Sequence, residues 1–463
     1  MKDSAEQGHG DLKRSLSNRH IQLIALGGAI GTGLFMGSGK SISLAGPSIL
    51  FVYMIIGFLL FFVMRAMGEL LLSNLEYKSF IDFAADLLGP WAGFFTGWTY
   101  WLCWIVTGIA DVIAVSAYTQ FWFPELPQWL PALLCVGLLL VLNLITVKLF
   151  GEIEFWFAMI KLMAIAGLVA VGGYLLANPE SLTGAGRVNL NNLWNDGGMF
   201  PHSWTGFFAG FQISIFAFVG IELVGTAAAE THNPRMTLPR AINSIPVRII
   251  IFYVLALATI MVVTPWRDVV ADKSPFVELF LIVGFPAAAA WINFVVLSSA
   301  ASSANSGVFS TSRMLFGLAS EGDAPRAFQR LSKRAVPSNG LLFSCLCLLL
   351  GAMLIYLVPD LMQAFTLITT LSALLFMFVW SIILLSYLAY RKTHPALHVA
   401  SRYRMPGGRL MCCVTLGFFA AILVLLSLKD DTRQALFLAP GWFLLLGLAY
   451  TMMINRRGTI HLS

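Results

Sequence analysis

Charged residues are scarce in this sequence: they make up 11% of its 463 residues, whereas 58% are hydrophobic. A typical soluble domain carries about 25% charged residues, so this chain cannot cover a water-facing surface. The mean hydropathy is +0.80, and apolar runs of about 20 residues, long enough to cross a bilayer, recur along most of the chain. These features exclude a soluble enzyme and predict an all-α polytopic membrane protein.

Signatures of enzymes and metal sites are also lacking. No Walker-type phosphate loop occurs, which argues against a pump with its own ATPase. His394 and His398 are four residues apart, but Pro395 stands between them and no acidic partner follows, so we predict no metal site and no cofactor. The cysteines all lie in apolar stretches and are predicted to be reduced core residues: Cys103, Cys135, Cys345, Cys347, Cys412 and Cys413.

The basic residues are distributed unevenly between alternate loops. Lys and Arg number 29 against 23 Asp and Glu, and most of them fall in the tails and in the loops around Arg313–Arg334 and Arg391–Arg409. Cytoplasmic loops of membrane proteins carry such an excess. The basic balance therefore indicates topology, with both termini cytoplasmic and lipid as the surrounding partner, and gives no reason to expect a nucleic acid.

The chain divides into about twelve apolar segments. Residues 1–20 and 456–463 are predicted cytoplasmic tails, and the first segment, which no cleavage site follows, is expected to be a retained signal anchor. Residues 76–88 and 274–283 are predicted to form short helices beside the bundle. The segments are 21–46, 48–72, 91–119, 129–149, 154–177, 205–230, 241–264, 285–318, 339–358, 361–390, 408–428 and 433–455.

Two of these segments are interrupted. The first contains Gly27–Phe35, with four glycines in seven positions, each of which weakens a helix by about 0.5–1 kcal/mol relative to Ala. The sixth contains Phe216–Gly225, in which Gly220 and Gly225 bracket Glu222. If segments one to five (21–177) and six to ten (205–390) are inverted repeats, the interruptions are equivalent. Paired interruptions of this kind point to a substrate site at the membrane midplane.

The two interruptions offer complementary groups. A half-helix that starts at Gly31–Gly33 presents free N–H groups and its positive dipole end, which suit a carboxylate, and the Thr32 hydroxyl can add a donor. Free carbonyls between Phe216 and Gly220 suit an ammonium group. Together they predict a receptor for the head group of an α-amino acid. The alternative is that the glycines allow close helix packing. Packing and ligand binding explain Gly27 and Gly28 equally well, whereas the second interruption favours ligand binding at Gly31–Gly33.

Ionisable residues at membrane depth are candidates for function because burying their charge is costly. Lys161 can load and release a proton, or can act as a fixed cation bonded to carbonyls of the first segment. Glu222 can carry a proton or organise the unwound sixth segment. Asp111 either faces the cavity or caps a polar patch, and Glu230 either forms an inner-gate ion pair or is an ordinary helix end.

Further polar residues have simpler predicted roles. Arg65 and Glu69 are one helical turn apart and are predicted to form an intrahelical pair. The run Ser298–Gly307 is rich in small residues, which allows a neighbouring helix to approach closely. Its hydroxyls can also serve as partners for Lys161.

Several motifs resemble one transporter family across essentially the whole chain. GGAIGTGLF, FAFVGIE and the sequence Glu230–Pro234 are similar to those of the amino acid transporter family within the amino acid–polyamine–organocation superfamily. NRHIQLIALGGAIGTGLFMGSGK, EFWFAMIK and SSAASSANSGVFSTSRMLFGLA are similar to its enterobacterial branch of permeases for D-serine, D-alanine and glycine. The resemblance implies a five-plus-five inverted repeat with two added C-terminal helices (408–455) in the bacterial cytoplasmic (inner) membrane.

The resemblance also implies proton-coupled import of small amino acids by alternating access, with the proton as coupling ion and no obligatory protein partner. It places the substrate carboxylate at Thr32 and Gly33, with Ala29 bounding the site, and the ammonium at the carbonyls of Phe216 and Val219. Further positions match as follows: Lys161 matches a lysine that replaces a sodium site in proton-coupled relatives, Glu222 and Glu230 match acidic positions, and Asp111 stands where several relatives have glutamate.

The bulky side chains of Phe216 and Phe218 are predicted to limit the space beside the substrate's α-carbon. Phe218→Ala is then expected to admit larger amino acids, and unchanged competition by bulky amino acids would contradict this. An exchanger, or a symporter for other neutral amino acids, would share both interruptions. A membrane amino acid sensor would be expected to carry an appended cytoplasmic domain, and the tails are too short for one.

Overall fold

The computed structural model describes residues 30–145, 147–178, 188–226, 233–282, 284, 286–357 and 360–460. Regular structure in these ranges is helical throughout. The α-helices are α1 (Thr32–Phe35), α2 (Gly37–Ala45), α3 (Ile49–Ser73), α4 (Phe80–Leu88), α5 (Pro90–Thr119), α6 (Trp129–Ile145), α7 (Val147–Ala177), α8 (Ser203–Ser214), α9 (Leu223–Thr226), α10 (Pro234–Asn243), α11 (Ile245–Arg248), α12 (Ala256–Val263), α13 (Pro275–Ile282), α14 (Pro286–Ser320), α15 (Ser338–Leu357), α16 (Leu361–Thr393), α17 (Pro395–Ala400), α18 (Gly408–Ser427) and α19 (Asp430–Ile460).

The predicted apolar segments all contain helix. Nine helical stretches within the described ranges are long and apolar enough to cross a membrane, and the first of them, Gly37–Ser73, joins α2 to α3. Shorter apolar helices, Trp129–Ile145 and Ser338–Met353, occupy the predicted fourth and ninth segments. The prediction of an all-α polytopic membrane protein is confirmed.

Side-chain caps fix where some of the helices start. Ser79 precedes α4 and its hydroxyl accepts from the backbone N–H of Ile81 (3.2 Å), while the Asp82 carboxylate accepts from the N–H of Ser79 (3.1 Å). This reciprocal arrangement satisfies N–H groups that a helix start leaves free. The predicted short helices at residues 76–88 and 274–283 are confirmed as α4 and α13.

The centre of the molecule is built on α5, which packs against α14 and α16. In the most apolar part of α5, 83% of the residues are buried inside the protein, compared with 28% in α18 and 6% in α19. The last two helices therefore lie at the periphery, where they pack against α3, α16 and each other. The arrangement of 21–177 and 205–390 as inverted repeats stays a prediction.

Candidate functional site

In the first segment the described residues start at Ile30, and the helix begins within the predicted interruption. Gly31 is extended (φ −128°, ψ −159°) and α1 begins at Thr32. The Gly31 carbonyl accepts from the N–H groups of Leu34 (3.2 Å) and Phe35 (3.3 Å). The N–H groups of Thr32 and Gly33 precede these donors and so lie in the first turn, where a helix leaves its amides without intrahelical partners.

The sixth segment unwinds after a 3₁₀ turn at Ile215–Phe218. Val219 is extended (ψ 137°), and Gly220 has φ +100°, a conformation in which a side chain would be strained. The helix resumes at Leu223. The carbonyl of Phe216 accepts from the N–H of Val219 (3.1 Å), but within residues 215–226 no backbone N–H donates to the Val219 carbonyl. Val219 thus offers an available acceptor in this interruption.

A tyrosine on the seventh segment holds the unwound chain in place. Tyr253 lies in a π-helical stretch, Ile249–Leu255, and its hydroxyl donates to the carbonyl of Ala217 (2.9 Å). Because a π-helical stretch adds a residue to the turn, it changes the direction in which the following side chains project. Sequence analysis missed Tyr253, since an apolar helix with one tyrosine carries no signal for a π-helical turn.

The two interruptions touch each other at Gly33. A Cβ atom at this position would lie 2.6 Å from Cα and 2.8 Å from N of Ala217, which is closer than real Cβ contacts come. A glycine is therefore needed for the two backbones to approach. A cavity lies beside the contact, lined by Gly31, Thr32, Gly33, Thr107, Phe216, Ala217, Val219 and Ser303.

The cavity is lined by residues of both predicted interruptions. Gly31, Thr32 and Gly33 come from the first segment, and Phe216, Ala217 and Val219 come from the sixth. Its lining residues are uncharged, so an ammonium and a carboxylate would be recognised by backbone dipoles and hydroxyl groups.

Asp111 on α5 is hydrogen-bonded to the first segment. Its Oδ1 accepts a hydrogen bond from Oγ1 of Thr32 (2.7 Å), and both side chains are buried. The hydroxyl carries a single proton, so in this arrangement it is donated to Asp111 and not to a ligand. The expected hydroxyl donor of Thr32 is thus engaged elsewhere, and its backbone N–H is the group that is left for a carboxylate.

Sequence comparison identifies the family of this chain. A family profile described as Amino acid permease matches residues 20–459. The chain belongs to the amino acid permease family. It is a multi-pass membrane protein of a transporter family and not an enzyme.

The similarity to individual permeases extends over nearly the full chain. The D-serine/D-alanine/glycine transporter of Escherichia coli (strain K12) is 67% identical over 456 residues, which cover 98% of this chain and 97% of that protein. Amino-acid permease AapA of Bacillus subtilis (strain 168) is 55% identical over 445 residues, 96% of each chain. Aromatic amino acid transport protein AroP of Escherichia coli (strain K12) is 42% identical over 448 residues, 96% of each chain.

A second polar centre of the permease surrounds Lys161, which is fully buried on α7. Nζ of Lys161 donates to Oγ of Ser302 on α14 (3.2 Å), so the serine-rich run does supply a partner for this amine. The same run contacts the first segment, because Oγ of Ser299 donates to the Ile30 carbonyl (3.1 Å). Carbonyls of the first segment before Ile30 lie outside the described residues.

Glu154 belongs to this centre, although sequence analysis did not select it. Its Oε2 accepts from Oγ of Ser302 (2.8 Å), and its Oε1 accepts from Nδ2 of Asn305 (2.9 Å). The signal that could have found it is its spacing, since Glu154 precedes Lys161 by two helical turns and so shares its helix face.

Glu222 organises the unwound sixth segment. Its Oε2 accepts from the N–H of Gly220 (3.2 Å) and its Oε1 accepts from the hydroxyl of Tyr100 on α5 (3.3 Å). The carboxylate is buried, so these donors replace the water that it has lost. This contact pattern is the structural role that the sequence left open beside proton transfer.

The remaining predicted site residues differ in their position: one lines the cavity, two lie apart from it, and two lie outside the described ranges. Phe216 lines the cavity, whereas the Phe218 ring stacks on Tyr253, with ring centroids 5.1 Å apart. Gly220 shapes the bend without lining the cavity. Ala29 and Glu230 lie outside the residues that the structure describes.

The predicted intrahelical pair of Arg65 and Glu69 is wrong. Both side chains instead contact the segment that joins α16 to α18: the Arg65 guanidinium lies 3.8 Å from the Tyr403 ring centroid, and Glu69 accepts from Nδ1 of His398 (2.6 Å) and the N–H of Met405 (2.7 Å). Helical spacing alone could not show that a distant loop supplies better partners. His398 therefore has an acidic partner, one that comes from α3.

Proposed function

We propose that this permease is a proton-coupled symporter that imports small zwitterionic amino acids, namely D-serine, D-alanine and glycine, across the bacterial cytoplasmic membrane by alternating access. Both termini then lie in the cytoplasm. The observation that carries the proposal is the contact between the two interrupted segments at Gly33 and Ala217, beside which the cavity opens. The substrate carboxylate lies at the Thr32 and Gly33 amides, and the ammonium lies at the Val219 carbonyl and the neighbouring Phe216 carbonyl.

The small size of the proposed substrates follows from the walls of the cavity. Phe216 closes one side, and the packing of Gly33 against Ala217 leaves no room for the site to widen there. Backbone groups recognise the ammonium and carboxylate that glycine and both enantiomers of alanine share. The name of the 67% identical relative, a transporter of D-serine, D-alanine and glycine, supports the same substrate class.

Coupling to protons is proposed for the charged groups behind the cavity. Lys161 is buried at membrane depth, where an ionisable side chain is costly and is retained for a role in transport. Asp111 and Glu222 are further buried groups that could hold a proton, and each is bonded to one of the interrupted segments. We propose Lys161 as the group that loads and releases the coupling proton.

Uptake by purified protein in proteoliposomes tests the proposal. Labelled D-alanine uptake is followed with an inward proton gradient, without a gradient, and with a sodium gradient instead, in the wild type and in Lys161→Ala. We expect the proton gradient alone to drive accumulation that glycine and D-serine inhibit, and we expect Lys161→Ala to lose it. Uptake that ignores the gradient and requires internal amino acid would show an exchanger, and binding without uptake would show a sensor.

A further inference from the structure

Glu154 and Lys161 form a pair of opposite charges within one helix of the membrane domain. Glu154 is 2% exposed and Lys161 is fully buried. They are seven residues apart on α7, which is about two turns of an α-helix, so both side chains project from the same face. Two charges in this setting are tolerated only when each has polar partners.

Ser302 on α14 connects the two charges with a directed hydrogen-bond chain. Nζ of Lys161 donates to Oγ of Ser302 (3.2 Å), and Oγ donates its own proton to Oε2 of Glu154 (2.8 Å). A hydroxyl can accept one proton while it gives up another, whereas an amide or a carbonyl cannot do this as readily. The ammonium and the carboxylate are therefore linked by a group that can relay a proton.

The second oxygen of Glu154 is held by neutral groups. Its Oε1 accepts from Nδ2 of Asn305 (2.9 Å), and Oδ1 of Asn305 in turn accepts from Nδ2 of Asn143 on α6 (2.7 Å). These amides keep the carboxylate aimed at Ser302 and bring no charge of their own. The chain through Ser302 thus gives Glu154 a route by which it can gain a proton from Lys161.

We propose that Glu154 is the proton acceptor of Lys161 and that Ser302 carries the proton between them. The Nζ–H bond breaks as the proton moves to Oγ, and the original Oγ–H bond breaks as its proton moves to Oε2. An ammonium and a carboxylate become an amine and a carboxylic acid, the hydroxyl is restored, and the net charge of the pair stays zero. The inference rests on the proposed proton-coupled transport and names the partner that this transport requires.

A neutral pair is favoured when water is excluded, because separated buried charges lose their hydration. Proton transfer within the pair therefore lets Lys161 lose its charge at a closed stage of the cycle without a net charge entering the membrane. Asp111 on α5 also acts electrostatically on Lys161. Asp111 also accepts a hydrogen bond from the Thr32 hydroxyl. A change in the charge of Lys161 therefore acts on a residue that is bonded to the first segment beside the substrate.

Glu154→Gln tests this role, with Glu152→Gln as the matched control. Gln keeps the size of the side chain and can hydrogen-bond to Ser302 and Asn305, but it cannot take up the proton. Glu152 is two residues earlier and projects about 200° away around the helix, so it serves as a carboxylate of the same helix outside the pair. Each protein is reconstituted in liposomes that contain a pH-sensitive dye, and labelled D-alanine is the substrate.

Two modes of transport are measured for each variant. Counterflow, in which internal unlabelled D-alanine exchanges for external label, needs binding and alternating access but no proton gradient. We expect Glu154→Gln to retain counterflow and to lose both gradient-driven accumulation and substrate-dependent proton entry, while Glu152→Gln keeps all three. Accumulation by Glu154→Gln equal to the wild type would overturn the inference, as would parallel loss of counterflow by protein that is inserted and folded.

Ser302 provides an independent test if Glu154→Gln does not insert. Ser302→Thr keeps a hydroxyl and should keep proton entry, whereas Ser302→Ala removes the relay and should lose it while counterflow persists. Equal coupling in these two variants would overturn the inference. A wild type that shows counterflow without any gradient-driven accumulation would instead contradict the proposed symport, and the inference would fail with it.

Discussion

Two regions beside the first segment differ in their chemistry. One is the cavity between the first and sixth segments, whose lining residues are uncharged. The other is a set of buried charged residues, Asp111, Lys161 and Glu154, which are held by side-chain hydrogen bonds, and of which Asp111 is bonded to Thr32 of the first segment. Backbone dipoles suit a zwitterionic substrate, and titratable side chains suit a proton. In our account the first region binds the substrate and the second couples its transport to the proton.

The largest effect is expected from disrupting the close contact between the first and sixth segments. Gly33→Ala places a methyl group 2.6 Å from the Ala217 backbone, and such overpacking costs about 1–3 kcal/mol and moves the two segments apart. We expect D-alanine binding and uptake to be lost. Gly31→Ala is the matched control, because its Cβ would lie 3.5 Å from Oγ of Ser303, an ordinary contact. Equal uptake in both variants would show that the close approach is not needed.

A smaller effect is expected from removing the hydrogen bond between Thr32 and Asp111, which joins the first segment to the buried charged residues. Thr32→Val removes the hydroxyl that Asp111 binds and leaves a buried carboxylate oxygen without this donor, at a cost of about 1–3 kcal/mol. We expect uptake driven by a proton gradient to fall more than counterflow does. Thr32→Ser keeps the hydroxyl and should restore both rates. If Thr32→Val lowers both modes equally, the hydroxyl serves binding and not the link.

Substitution of a residue in the cavity wall is expected to change which amino acids the protein accepts. Phe216 lines the cavity whereas Phe218 stacks on Tyr253, so Phe216→Ala should let bulky neutral amino acids compete with D-alanine uptake. Phe218→Ala was also expected to do so from the sequence; the structure leads us to expect lower stability instead, by about 3–5 kcal/mol. Competition by a panel of amino acids and thermal unfolding separate these outcomes. Bulky competitors admitted by Phe218→Ala alone would contradict this assignment of the wall.

The smallest effect is expected from the tyrosine that braces the unwound chain. Tyr253→Phe removes the hydrogen bond to the Ala217 carbonyl, which contributes about 1 kcal/mol. We expect a lower affinity for D-alanine with uptake still driven by the proton gradient. Tyr174→Phe is the control, because Tyr174 is 60% exposed on α7. An unchanged affinity in Tyr253→Phe would show that the sixth segment keeps its shape without this contact.

Residues that alter the backbone were predictable from the sequence. Clustered glycines at membrane depth weaken a helix wherever they occur, and the helix start after Gly31 and the break at Gly220 lie where that reasoning placed them. Glu222 was recognisable because a carboxylate beside a glycine in an apolar segment requires local donors. The positions of the long helices were likewise predictable from the length and hydropathy of the apolar segments alone.

Contacts between distant segments were not predictable in this way. The link between Glu154 and Lys161 was missed because Ser302, which joins them, is 148 positions from Glu154 in the chain. Glu69 was paired with its helical neighbour although His398 lies 329 positions away and binds it. Phe218 was assigned to the cavity because composition cannot show which of two neighbouring rings an unwound turn directs inward. Each of these outcomes depends on how the segments pack, which local pattern does not encode.

The central claim is that the substrate is recognised by backbone groups between the two interruptions. An experimental structure of the protein with D-alanine tests it most directly. Our account predicts the carboxylate at the N–H groups of Thr32 and Gly33, the ammonium at the carbonyl of Val219, and the methyl group towards Phe216. D-alanine bound elsewhere, or held in this cavity by the side chains of Asp111 or Lys161, would contradict the claim.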